Sequence, residues 1–137
     1  MEELMLALLL WIGANSDYQI HDVELPGIEF RTKAELYRIA GAKGPRTVWA
    51  IYDDENRKIL LHDGFNPNAA EDRARMAHEL VHHLQVVSGK EFPCMQASEP
   101  EAYRIHKLWL EQHGLPYTGP DKEEVAMMSL CFRDRDD

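Results

Sequence analysis

The chain has 137 residues, 45% of them hydrophobic and 28% charged, which is the composition of one globular domain with a single core. Fifteen basic against twenty-four acidic residues give a net charge of −9, and Lys and Arg are scattered along the chain. That balance excludes a general nucleic-acid or anionic-membrane surface, both of which want clustered basic residues.

The first expected element is a helix from about Glu2 to Ala14, ended by the turn chemistry of Asn15-Ser16-Asp17. Leu4 to Ile12 is as apolar as a signal-peptide core, but Glu2 and Glu3 stand where a signal carries positive charge. The stretch is also too short to span a bilayer. A helix buried on almost all sides is therefore expected, in a cytoplasmic protein. Pro26-Gly27 forces a turn before a short extended piece, Ile28 to Arg31. Thr32-Lys33-Ala34-Glu35 is a capping-box pattern opening a short helix that Gly41 stops. Thr47 to Tyr52 is rich in β-branched and aromatic residues, and Lys58 to His62 reads as its return strand across the turn Asp53-Asp54-Glu55-Asn56.

A long amphipathic helix follows, about 69–87, with Asn68 as its expected N-cap and Gly89 beyond its end. Ala74, Ala77, Val81 and Leu84 recur at helical spacing, with Leu80 on the same arc. Within this helix lies His78-Glu79-Leu80-Val81-His82. Residues four apart leave the same helix face, so the imidazoles of His78 and His82 stack one turn apart and can share a metal. Glu79 is roughly 100° round the helix, within reach of a water at the metal rather than of the metal itself. Gln85 shares the metal face and is placed to support a ligand. The expected metal is Zn²⁺.

A catalytic zinc site wants a third protein ligand from a separate element. Ser98-Glu99-Pro100-Glu101 opens the next helix, about 99–113, which can pack antiparallel on the metal helix. Two residues apart on a helix point roughly 200° apart, so only one of Glu99 and Glu101 can see the metal. Glu99 is favoured, because Ala102 one turn on lets the helices approach, and Ser98-x-x-Glu101 offers Glu101 a capping role instead. Asp121 to Glu124 caps a last helix, and the charged tail Arg133 to Asp137 is expected to fray.

His78-Glu79-x-x-His82 followed by Glu99-x-x-Ala102 resembles the gluzincin metallopeptidases, and in size the chain is similar to the minimal single-domain minigluzincins. The resemblance covers roughly residues 47–114 and implies His78, His82 and Glu99 as zinc ligands and Glu79 as general base. Zinc aminopeptidases within that group have a spacing that would suit Glu101 better, and no metzincin extension H-x-x-G-x-x-H follows His78.

The expected fold is therefore α+β: one mostly helical, zincin-like domain with a small hairpin or sheet in front of the metal helix. The expected function is zinc-dependent peptide hydrolysis on a peptide or protein substrate, with no nucleic-acid or membrane partner. The rival functions are a zinc-binding regulatory protein and a zinc amidase acting on cell-wall peptides. Tyr103, His106 and His113 are candidate oxyanion donors. His83 is expected to be a solvated neighbour, and His21 and His62 to be structural. Trp11, Trp49 and Trp109 are expected in the core. The two cysteines, Cys94 and Cys131, are expected as reduced thiols in a cytoplasm, with a disulfide as the alternative.

Overall fold

The computed structural model describes residues 1–131; the tail expected to fray lies outside the described residues. Among the described residues, five α-helices and three strands form the mixed α+β domain expected from the sequence. The sheet has the order β1-β3-β2, with β1 Gly27–Arg31, β2 Ala50–Asp53 and β3 Lys58–His62. β2 and β3 are the expected antiparallel hairpin, Ala50 opposite Leu61 and Asp53 opposite Lys58. β1 pairs with the other edge of β3 in parallel, Ile28 opposite Ile59, a long-range partnership with no local signature. β2 starts at Ala50 rather than Thr47, although the Trp49 carbonyl still accepts from the His62 amide at 2.9 Å and continues the ladder.

Alternation along β3 sends Ile59 and Leu61 to the main core and Leu60 to the opposite face. On that second face α2 (Lys33–Ile39), held by its Thr32–Glu35 capping box, places Leu36 against Val48 and Leu60. The main core lies between the sheet and α1 (Glu2–Ala14), α3 (Ala70–Val87) and α4 (Glu99–Gln112). α1 buries Met5, Leu8, Leu9 and Ile12, but Leu6 and Leu10 are exposed, so it is one-sided rather than enclosed.

α3 begins one residue later than expected, with Ala69 at the N-cap and no side-chain cap. Asn68 does not cap, because its backbone N–H donates to Asn66 Oδ1 and the residue belongs to the preceding turn. α4 lies antiparallel on α3. Trp109 Nε1 donates to the Ala70 carbonyl at one end, and Gln85 Nε2 donates to the Ser98 carbonyl at the other.

Cys94 and Cys131 form a disulfide, correcting the expectation of reduced thiols. Their Cα atoms lie 5.7 Å apart, a proximity set by tertiary packing and invisible in a spacing of 37 residues. The bridge ties the segment before α4 to the end of α5 (Lys122–Ser129), a helix that buries no residue of its own. No helix among the described residues is long and apolar enough to cross a membrane.

Candidate metal centre

The middle of α3 and the first turn of α4 meet at His78, His82 and Glu99. Glu99 Oε1 lies 3.2 Å from His78 Nε2 and 2.5 Å from His82 Nε2, so three donor atoms from two helices converge on one point. His78, Glu79 and His82 likewise each offer a ligand atom within 4.8 Å of the others. Two imidazoles and a carboxylate are a donor set suited to zinc, with the further carboxylate of Glu79 beside it.

The outer nitrogens of both imidazoles are also occupied. His82 Nδ1 donates to Gln85 Oε1 at 2.9 Å. Gln85 is buried, and its amide has one satisfying orientation, since Nε2 must donate to both the Ser98 carbonyl and Glu101 Oε1, each at 3.0 Å. His78 Nδ1 lies 3.3 Å from His106 Nδ1. Burial, with His78 and Arg75 nearby, pushes the His106 imidazole down to about 3, so it stays neutral and can accept. With Nδ1 of each histidine engaged, Nε2 is the nitrogen left to face a metal, and the donor set fits one.

Glu101 sits two residues from Glu99 but faces away from the cluster, as helix geometry requires. Its Oε1 accepts from Tyr18 Oη at 2.5 Å and from Gln85, and its Oε2 from Lys90 Nζ at 3.1 Å. The capping role is corrected: α4 has no side-chain cap bond, and the Ser98 hydroxyl donates to the Met95 carbonyl instead. Nothing in the sequence tied Tyr18 to this place.

Burial raises Glu79 above the usual carboxylate range despite the two nearby imidazoles, which lower it. Burial would raise Glu99 as well, but its bonds to His78 and His82 prevail and hold it far below that range. The Tyr52 backbone, on β2, faces Glu79.

Of the candidate donors, Tyr103 packs edge-on against His78 with ring centroids 4.6 Å apart. Its hydroxyl makes no hydrogen bond among the described residues, and burial pushes its pKa up, so it remains a proton donor. His113 is not at the site; it stacks on Trp109 and bonds the Trp109 carbonyl. His83, expected to be a solvated neighbour, is instead buried at 1% exposed, bonded through Nδ1 to Tyr52 Oη and through Nε2 to the Glu24 carbonyl. A turn of about 100° from His82 carries it under β2 and the segment before β1. His62 is structural, its Nε2 bonded to buried Asp72 at 2.8 Å. Trp109 is buried and Trp11 is half-buried at the core margin, while Trp49, half-buried, lies outside the core between His62, Lys33 and Arg75.

The cluster opens into a cleft of about 770 Å³. One wall is β2 with the segment before it, including Val48, Ala50, Ile51 and Tyr52. β2 is an outer strand, so its second edge has no strand partner among the described residues.

Fold and site together define a single α+β domain in which buried His78 and Glu79 and half-buried His82 and Glu99 cluster between two antiparallel helices. The chain belongs to the family described as a domain of unknown function, DUF6647, which it matches over residues 1–135. No curated protein and no solved structure matches it.

Proposed function

We propose that the chain is a zinc-dependent metallopeptidase of gluzincin type, with His78, His82 and Glu99 as ligands and Glu79 as general base. The observation that carries this reading is the convergence of His78 Nε2, His82 Nε2 and Glu99 Oε1 beside a buried carboxylate that makes no side-chain bond to either imidazole.

Zinc held by His78, His82 and Glu99 would supply a Lewis acid that lowers the pKa of water toward about 7 and polarises a carbonyl. Glu79 accepts the proton of the attacking water and returns it to the leaving nitrogen, a role that its raised pKa favours. The Tyr103 hydroxyl, free of other partners among the described residues, donates to the developing oxyanion. The open edge of β2 holds an extended peptide by backbone hydrogen bonds, which presents one peptide bond to Glu79. A purely structural zinc site has no use for a buried base beside it, which favours the enzyme over the regulatory reading. An amidase would use the same atoms, and a substrate panel containing cell-wall peptides separates the two. A cytoplasmic setting calls for Cys94 and Cys131 to be reduced, so the state of these sulfurs also tests the compartment.

Metal analysis and turnover of a mixed peptide library on one preparation test the proposal. One zinc per chain, with cleavage lost on chelation and restored by zinc, is expected. Cleavage that survives complete metal removal would defeat it.

A further inference from the structure

The wall of the cleft that carries β2 is charged at its two ends. Arg46 lines the cleft ahead of the strand and Asp54 lines it just beyond, with the apolar Val48, Ala50 and Ile51 between them. Neither Arg46 nor Asp54 makes an ion pair or side-chain hydrogen bond among the described residues. Lys90, the other cation on the cleft, is paired with Glu101 at 3.1 Å. The positive charge of Arg46 is felt at Tyr103, so the cationic end of the wall lies on the Tyr103 side of the cluster. Asp53, beside Asp54, is engaged with Asn56, and of this turn, which also carries Glu55 and Arg57, Asp54 is the charged residue that lines the cleft.

These charges select a direction for anything added to the free edge of β2. A peptide lying antiparallel brings its C-terminal half to Arg46 and its N-terminal half to Asp54. The terminal carboxylate then meets a guanidinium, and the terminal ammonium meets a carboxylate. A parallel peptide would set like charges together at both ends. The separation also selects a length. At about 3.3 Å per residue, the wall from Arg46 to Asp54 reaches at most about 26 Å, so both ends are met only by a peptide of up to about eight or nine residues.

Resting on the peptidase reading above, we infer that the cleft takes short peptides with both termini free, Arg46 receiving the C-terminal carboxylate and Asp54 the N-terminal ammonium. Glu79 faces the wall at Tyr52, nearer Asp54 than Arg46, so the bond that is cut lies in the N-terminal half of the peptide. Longer chains lose one of the two contacts.

The test uses the full-length, zinc-loaded Glu79→Gln protein, so that binding is read apart from turnover. An eight-residue peptide of mostly apolar sequence is titrated calorimetrically with free ends, N-acetylated, C-amidated and blocked at both ends. Each block is expected to weaken binding about tenfold, the scale of one charge-assisted contact. Arg46→Gln should abolish the amidation penalty alone, and Asp54→Asn the acetylation penalty alone. Equal binding of all four forms, or penalties unchanged in the two variants, overturns the inference. So does recovery of tight binding by an amidated peptide with an internal glutamate, which would assign Arg46 to acidic side chains instead. If unfolded proteins are cleaved in a zinc-dependent way while no short peptide binds, the inference fails and the peptidase reading stands. Absence of both zinc and cleavage in the wild type removes that reading itself.

Discussion

Glu99 and Glu101 hold the same imidazole from its two nitrogens. Glu99 meets His82 Nε2 at 2.5 Å, and Glu101 reaches Nδ1 through the buried amide of Gln85. Two carboxylates that helix geometry sets on different faces thus serve one imidazole, the first facing the proposed metal position and the second fixing the ring behind it.

Their removal should therefore have different consequences. Glu99→Ala takes away a proposed ligand, and the chain should not retain stoichiometric zinc through dialysis. Gln85→Leu and Glu101→Gln loosen the His82 ring and should weaken zinc binding about 10- to 100-fold. Competition titration with a chelator ranks the three. Greater loss from Glu101→Gln than from Glu99→Ala would reverse the assignment of the third ligand.

Glu79→Gln is nearly isosteric and leaves the three donors in place. It should keep one zinc per chain and a near-native melting temperature, yet lose at least about 100-fold in kcat, because an amide cannot accept the proton. His82→Ala should lose zinc and cleavage together. Undiminished turnover by Glu79→Gln rules Glu79 out as the base.

Tyr103→Phe removes a single hydroxyl from the cleft. If that hydroxyl donates to the oxyanion, kcat should fall about 100-fold with KM little changed. A rise in KM at constant kcat would make Tyr103 a substrate contact and nothing more.

In the metal-free chain, burial alone would lower the His82 imidazole, but the bonded Glu99 carboxylate lifts it to about 9. A folded value above the unfolded one, about 6.5, means stability that is complete below about pH 6.5 and lost as pH rises through about 9. Urea midpoints of metal-free wild type should accordingly fall between about pH 7 and 9.5, and those of Glu99→Gln should fall less. Parallel curves for the two proteins would remove the His82–Glu99 pair as the cause.

The Cys94–Cys131 bridge closes a loop of 37 residues, for which chain entropy predicts about 4 kcal/mol of stabilisation. Reduction and alkylation should lower the melting temperature by several degrees, with the larger effect on protease sensitivity around α5. Intact mass before and after treatment reports the bridge directly, and two alkylated thiols in the untreated native protein would contradict it.

The parts of the site legible in the sequence are those carried by one helix. His78, Glu79 and His82 share α3, so their relative placement follows from 3.6 residues per turn alone. Glu99 against Glu101 could be posed as a choice, since the same rule says that only one faces inward. What decided the role of Glu101 was Tyr18, 83 residues away, together with Lys90, and no spacing rule connects them. The burial of His83 escapes the sequence for the same reason: its helix angle is readable, but the Tyr52 hydroxyl and Glu24 carbonyl that engage its two nitrogens are not. Among the elements, the Thr32 and Asp121 capping boxes are local chemistry and were readable, while the parallel β1–β3 pairing and the disulfide depend on tertiary approach.

That parallel pairing also sets an order of events during folding. The β2–β3 hairpin closes across a short turn and can form early, whereas β1 must cross the whole of α2 and its flanking loops to reach β3. Until it docks, Ile59-Leu60-Leu61 presents a bare apolar edge, the place where two partly folded copies would pair. The chain is thus most prone to aggregate during refolding, before β1 arrives, and rapid dilution at low protein concentration should recover it best.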